Sequence, residues 1–251
     1  LATAIILPVF FKDKIMALVK KEMNEQLIAT TDFKDVDISL IHNFPRLSVS
    51  IVDISIVGRD AFKNDTLIAA KSIDISLDLM KAINGIYDIM NIGLVSPRIH
   101  ARVLENGTAN WNITKPTPPT QPTETKPFAL KLRKYSLENA YIEYKDEQGK
   151  MHVIIENLDH KGSGDFSSDE FTLSTKTTAD AITFINGNIS YLSKVKTAID
   201  LDLDINNKTN KYTFNTEKIQ LNGLRLSTKG FVQMPDTNNM NMDIQFSTPS
   251  N

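Results

Sequence analysis

Ile199-Asp-Leu-Asp-Leu-Asp-Ile205 alternates apolar and acidic side chains without a break. A period of two sends neighbouring side chains to opposite faces of a strand, so Ile199, Leu201 and Leu203 turn inward and the aspartates outward. The same grammar recurs upstream. Val36-Asp-Ile-Ser-Leu40 turns Ile38 and Leu40 inward, and Leu47-Ser-Val-Ser-Ile51 does so with Val49 and Ile51. Ile54-Ser-Ile56 reads as a further short strand. Ile73-Asp-Ile-Ser-Leu-Asp-Leu79 contributes Ile73, Ile75 and Leu77, and Ile99-His-Ala-Arg-Val103 contributes Ile99, Ala101 and Val103. Downstream the pattern continues through Ile142 and Tyr144, Met151–Ile155, Phe171–Thr175, Ala181–Ile185, Tyr212–Phe214, Gly230–Met234 and Met240–Phe246. Turn signals such as Asn186-Gly187, Asn206-Asn207 and Asn222-Gly223 separate these strands. The chain reads as mainly β and antiparallel.

Its composition narrows the function. The 251 residues carry 28 Lys+Arg against 30 Asp+Glu, a formal charge of −2, which gives no electrostatic footprint for nucleic acid. Hydrophobic residues make up 41% and charged residues 23%, as in a folded chain. With no cysteine there is no disulfide framework, no thiolate metal site and no thiol nucleophile.

Two segments depart from the strand grammar. Leu1 to Phe11 is uncharged and apolar, with Pro8 inside it. A spanning helix needs about 20 apolar residues, so this reads as the outer end of a membrane anchor, or else as the apolar start of a soluble helix. From Phe10 to Leu27, Phe11, Ile15, Leu18, Met23 and Leu27 recur at helical spacing between lysines and glutamates, as in an amphipathic helix. A short helical turn is expected at Leu79–Ile83, closed by Asn84-Gly85. Residues 114–127 read TKPTPPTQPTETKP, and five prolines there leave neither ladder donors nor packing side chains. The organisation is therefore 1–30, anchor end and amphipathic helix; 31–113, a first β unit; 114–127, a linker or long loop; and 128–251, further β units. The loop reading is preferred because both flanks share one grammar. The strand at the far end would leave ladder groups unpaired, so the chain is expected to be the N-terminal piece of something longer.

A weak internal repeat links Leu94-Val-Ser-Pro-Arg-Ile99-His-Ala101 to Leu137-Glu-Asn-Ala-Tyr-Ile142-Glu-Tyr144 at an offset of 43 residues (94 to 137, 99 to 142, 101 to 144). It suggests stacked β units, each leaning on its neighbour.

No catalytic motif emerges. His42, His100, His152 and His160 lack zinc-ligand spacing, and His100 should face solvent. Asp200, Asp202 and Asp204 line one strand face, which fits a solvated surface better than a cation site. Phosphate-binding loops, nucleophile elbows and HExxH are absent, and no cofactor or metal is expected. Trp111, the only tryptophan, follows a hairpin turn at Asn106-Gly107 and should pack one end of the sheet.

Taken in order, the apolar start running into Phe11-Lys-Asp-Lys-Ile15, then Asp37-Ile-Ser-Leu-Ile-His-Asn-Phe-Pro-Arg-Leu-Ser-Val49, Leu94-Val-Ser-Pro-Arg-Ile99 and Asn106-Gly-Thr-Ala-Asn-Trp111 before the Pro/Thr segment, resemble the AsmA family of Gram-negative bacteria in its Bacteroidota form. Ser136 to Asp146 resembles it more loosely. The resemblance implies one N-terminal helix in the inner membrane and a periplasmic body. It implies similarity to bridge-like lipid carriers, with a link to outer-membrane biogenesis, and it offers no catalytic residues to transfer. The expected architecture is then an amphipathic helix followed by a long curved sheet forming an open groove for phospholipid or another acyl lipid. Its lining would be Ile38, Leu40, Val49, Ile51, Ile73, Ile75, Leu77, Ile99, Ala101, Val103, Ile142, Tyr144, Ile199, Leu201 and Leu203. A closed sandwich or barrel, serving as a periplasmic scaffold without lipid, is the alternative; periodicity alone does not separate the two.

Overall fold

The computed structural model describes residues 12, 16–17, 19–21, 23, 25–39, 46–78, 80–81, 84, 88–115, 130–236 and 239–248. Among the described residues thirteen strands form one sheet. They are β1 (Thr30–Asp32), β2 (Asp35–Ser39), β3 (Arg46–Val57), β4 (Thr66–Asp78), β5 (Ile89–Val95), β6 (Arg98–Val103), β7 (Leu130–Asp146), β8 (Met151–Ser163), β9 (Glu170–Asn186), β10 (Ile189–Asn206), β11 (Lys211–Leu221), β12 (Leu224–Gln233) and β13 (Asn241–Ser247). β1 and β2 lie end to end along β3, and β5 and β6 lie end to end between β4 and β7. From there each strand pairs with the next through to β13.

The sheet is open and one layer thick. Among the described residues every strand belongs to this one sheet, and close backbone approaches occur between hydrogen-bonded neighbours. The chain exposes 16131 Å², against about 11,000 Å² for a compact chain of this mass. Among the described residues the end strands β1 and β13 do not pair, so the sheet is not a closed barrel.

One pairing corrects the antiparallel reading. β5 and β6 run parallel to β7, with Leu94 opposite Leu137, Ile99 opposite Ile142 and Ala101 opposite Tyr144. Parallel neighbours need a crossover of a dozen or more residues, and residues 104–129 supply it. The 43-residue repeat is thus the register of two adjacent strands. Strands on the two sides of the Pro-rich segment belong to one continuous sheet.

A second correction concerns Leu47–Ile51 and Ile54–Ile56, which form the single strand β3. Their apolar residues skip three positions, from Ile51 to Ile54, because Asp53 adopts a left-handed φ of 51°. Ser96 (47°), between β5 and β6, and Asn139 (50°), Asn157 (50°) and Lys194 (50°), on β7, β8 and β10, repeat that conformation. Asn, Asp and Ser bear it at lower cost than most residues. Side chains tie the line together: Asn139 Nδ2 donates to Ser96 Oγ (3.3 Å), the Asn139 amide to Asp159 Oδ1 (2.8 Å) and Asn157 Nδ2 to Asp180 Oδ2 (3.0 Å). Bulge-type residues bend and twist a strand, so this transverse seam divides the sheet into two arms. Buried Ala70, Ala140 and Ala179 sit along its inner side, where larger side chains would hold the arms apart.

Residues 12, 16–17, 19–21, 23 and 25–26 are helical and lie over one end of the apolar face. Met16, Val19 and Met23 pack against clusters built on Val36, Leu47, Val49, Ile51, Ile54 and Ala70. Lys12 Nζ, at 2.8 Å from Asp35 Oδ2, fixes the helix to β2 and holds that carboxyl below its usual range. The expected turn at 79–83 is helical at Met80 and Lys81, and Lys81 Nζ meets the buried Asp88 at 2.5 Å. Among the described residues no helix is long and apolar enough to cross a membrane. Residues 1–11, Leu40, 82–83 and 116–127 lie outside those described.

Candidate functional site

The inward face is continuous because cross-strand partners share a face. On the arm toward the ends of β6 and β7, Ile68, Ile99, Ile142, Ile155, Ile182 and Val195 follow one another from β4 to β10, an unbroken β-branched row. Ala101, Tyr144, Val153, Phe184 and Leu192 run beside it. On the other arm Ile73, Leu94, Leu137, His160, Thr177 and Ile199 form a row, with Ile75, Ile92, Tyr135, Gly162, Thr175 and Leu201 beside it. Beyond β10 the face continues through Phe214, Gly230 and Ile244.

Except for Leu40, which is not described, every residue expected to line a groove lies on this face. They divide into two groups. Ile38, Val49, Ile51, Ile73 and Leu77 belong to the clusters under the N-terminal helix. Ile75, Ile99, Ala101, Ile142, Tyr144, Ile199, Leu201 and Leu203 are half-buried; Val103 is buried at the end of β6.

Sequence periodicity misses a polar chain inside this lining. Tyr135 Oη lies 3.1 Å from His160 Nε2, and His160 Nδ1 lies 2.8 Å from Thr177 Oγ1. The Tyr135 ring crosses β8 at Gly162, where a Cβ would come within 2.4 Å of it. Burial lowers the His160 pKa and raises that of Tyr135. A neutral imidazole satisfies both contacts by accepting from Tyr135 and donating to Thr177. The unfolded chain therefore takes up the His160 proton first as pH falls, and stability drops below about pH 6.5. We expect the urea midpoint to fall between about pH 7.5 and about pH 5.5, and to fall less in His160→Gln. Equal falls in the two proteins would remove His160 from this account.

Asp200, Asp204, His100 and His152 lie on the other face. Asp204 accepts from Thr172 Oγ1 (2.6 Å) and Asp200 faces Lys218 (3.7 Å). His100 and His152 share Glu143, at 3.2 and 2.8 Å, and hold its carboxyl below the usual range although burial opposes them. Among the described residues no His, Asp or Glu cluster is spaced to hold a metal. The Asn106-Gly107 turn forms, with Gly107 at φ 79°, and Trp111 rests against Tyr144 with ring centroids 6.0 Å apart.

The model of the AsmA family matches residues 1–248, nearly the whole chain. No curated protein matches it.

Proposed function

Because this chain belongs to the AsmA family and presents an apolar sheet face without a covering layer, we propose that it holds and conducts acyl lipids along that face. The uncovered row from Ile68 to Val195 is the observation that carries this reading. A sheet with one apolar face buries it against another layer in an ordinary domain, and here the helix reaches only the first strands. Acyl chains would supply the missing layer. Moving about 30 methylenes through water costs on the order of 24 kcal/mol at about 0.8 kcal/mol each. A continuous apolar track removes most of that barrier and leaves the headgroup wet at the rim. It supplies a path and no driving force. The proposal places the protein at the inner membrane, anchored through its apolar start, with the sheet in the periplasm supporting the outer membrane's lipid supply. It requires no reaction and no cofactor.

Native mass spectrometry with lipid extraction tests it, on protein purified without detergent from a Gram-negative host. We expect stoichiometric phospholipid that is lost in the double variant Ile99→Asp, Ile182→Asp, with an unchanged circular dichroism spectrum. A clean apo mass, where a known lipid carrier keeps its cargo, would leave the scaffold reading in its place.

A further inference from the structure

The polar face of the sheet carries a depression of about 630 Å³ that spans β4, β5 and β7 to β10. Lys161 and Lys176 stand directly opposite each other at its centre, on β8 and β9. Lys134, two residues before the partner of Lys161 on β7, lines the same depression. Like charges in a directly opposed antiparallel pair are destabilising; Asp200, opposite Lys176 on β10, lies 3.7 Å from Lys218, and among the described residues no ion pair reaches Lys161 or Lys176. Other lysines on this face meet carboxylates, Lys196 with Asp180 and Lys218 with Asp200, each at 3.7 Å. Among the described residues, Lys134, Lys161 and Lys176 form no ion pair.

The carboxylates that line the depression form no ion pair with the three lysines, although Asp200 stands opposite Lys176 on β10. Asp74 accepts from Ser50 Oγ (2.5 Å) and Ser72 Oγ (3.2 Å), and Asp200 is turned to Lys218. Glu138 stands at the end nearest the seam. Gly93, paired with both Asp74 and Ser136, adds no side chain and leaves the floor open. Ser136, Ser163 and Ser174 supply hydroxyl donors around the lysines.

We propose that this depression binds a phosphate-bearing group with two or more negative charges. Three ammonium groups with neutral donors between them match a pyrophosphate or phosphomonoester, which would also relieve the Lys161–Lys176 repulsion. The sheet between the two faces is continuous, so a lipid lying on the apolar face does not place its own headgroup here. This site stands whether or not the apolar face carries lipid.

The test is thermal unfolding of the 251-residue chain with pyrophosphate, at ionic strength held constant with NaCl. At a hundredfold excess over Kd we expect Tm to rise by about 5 °C or more. The Lys161→Gln, Lys176→Gln variant should lose that rise while unfolding, without ligand, at a temperature no lower than its parent. A rise no larger than NaCl gives, or one kept in the variant, overturns the proposal. Sedimentation with vesicles containing phosphatidic acid, whose headgroup is a phosphomonoester, separates the sources. Co-sedimentation lost in the variant assigns lipid headgroups, whereas pyrophosphate binding without co-sedimentation assigns a soluble phosphorylated ligand.

Discussion

Leu158→Ala is expected to lower stability by about 2–5 kcal/mol, the range for deleting a buried leucine side chain. Leu158 is 7% exposed and sits in the seam between Ala140 and Ala179, with Leu137, Ile142, Ile155 and Ile182 packed around it. Those neighbours come from three strands, β7, β8 and β9, and from both arms, so the site cannot collapse around the vacated volume without moving the seam. Leu201→Ala makes the comparison. Leu201 shares the apolar face but is only half-buried, so its truncation should cost about 1 kcal/mol or less. Urea denaturation of both variants reads the difference directly. Equal and large losses would mean that Leu201 lies in a closed core, and the open lining would fail at that point.

Gly230→Ala is expected to strip β13 from the sheet. Gly230 has φ 151°, and a Cβ built on it would stand 2.0 Å from the Asp243 carbonyl oxygen and 3.0 Å from the Ile244 Cα. Both contacts are with backbone, which no side-chain rotation relieves. The backbone strain alone costs about 1–3 kcal/mol. Among the described residues β13 pairs only with β12, and all its residues are exposed, so little else among them holds it. Hydrogen exchange should show the amides of Asn241–Ser247 losing protection while those of β7 to β10 keep theirs. Full protection in the variant would show that β12 can shift to admit the methyl group.

Much of the inward face was legible because strict alternation leaves few choices. Ile199–Ile205 fixes its own facing, and the described lining residues share one face for that reason. Two features escaped the same logic. The seam hides because a left-handed residue changes the spacing from two to three, so Ile51 and Ile54 looked like the ends of separate strands. The asparagines that make the seam, Asn139 and Asn157, resemble ordinary loop formers until their register is known. The polar chain hides for another reason. Counting apolar side chains assigns Thr177 and His160 to the solvent face, whereas the fold turns both inward and lets them satisfy one another. On the helix, Met16 and Val19 complete the buried stripe with Met23. Ile15 and Leu18, expected on that stripe, lie outside the described residues. The 43-residue offset was visible throughout, but sequence alone does not tell a repeated unit from two strands that lie side by side.

The order of the strands also bears on how the chain reaches this state. From β7 to β13 every pairing joins consecutive strands through a short turn, so that half can zip hairpin by hairpin with little loop entropy to overcome. The parallel meeting of β5 and β6 with β7 is different, since its partners stand 43 residues apart along the chain. It is the step that joins the helix-covered end to the meander, and loop closure makes it the slow one. Each doubling of that connection adds only about 0.6 kcal/mol to its closure. The Pro-rich crossover is therefore free to vary in length at small cost to the finished fold.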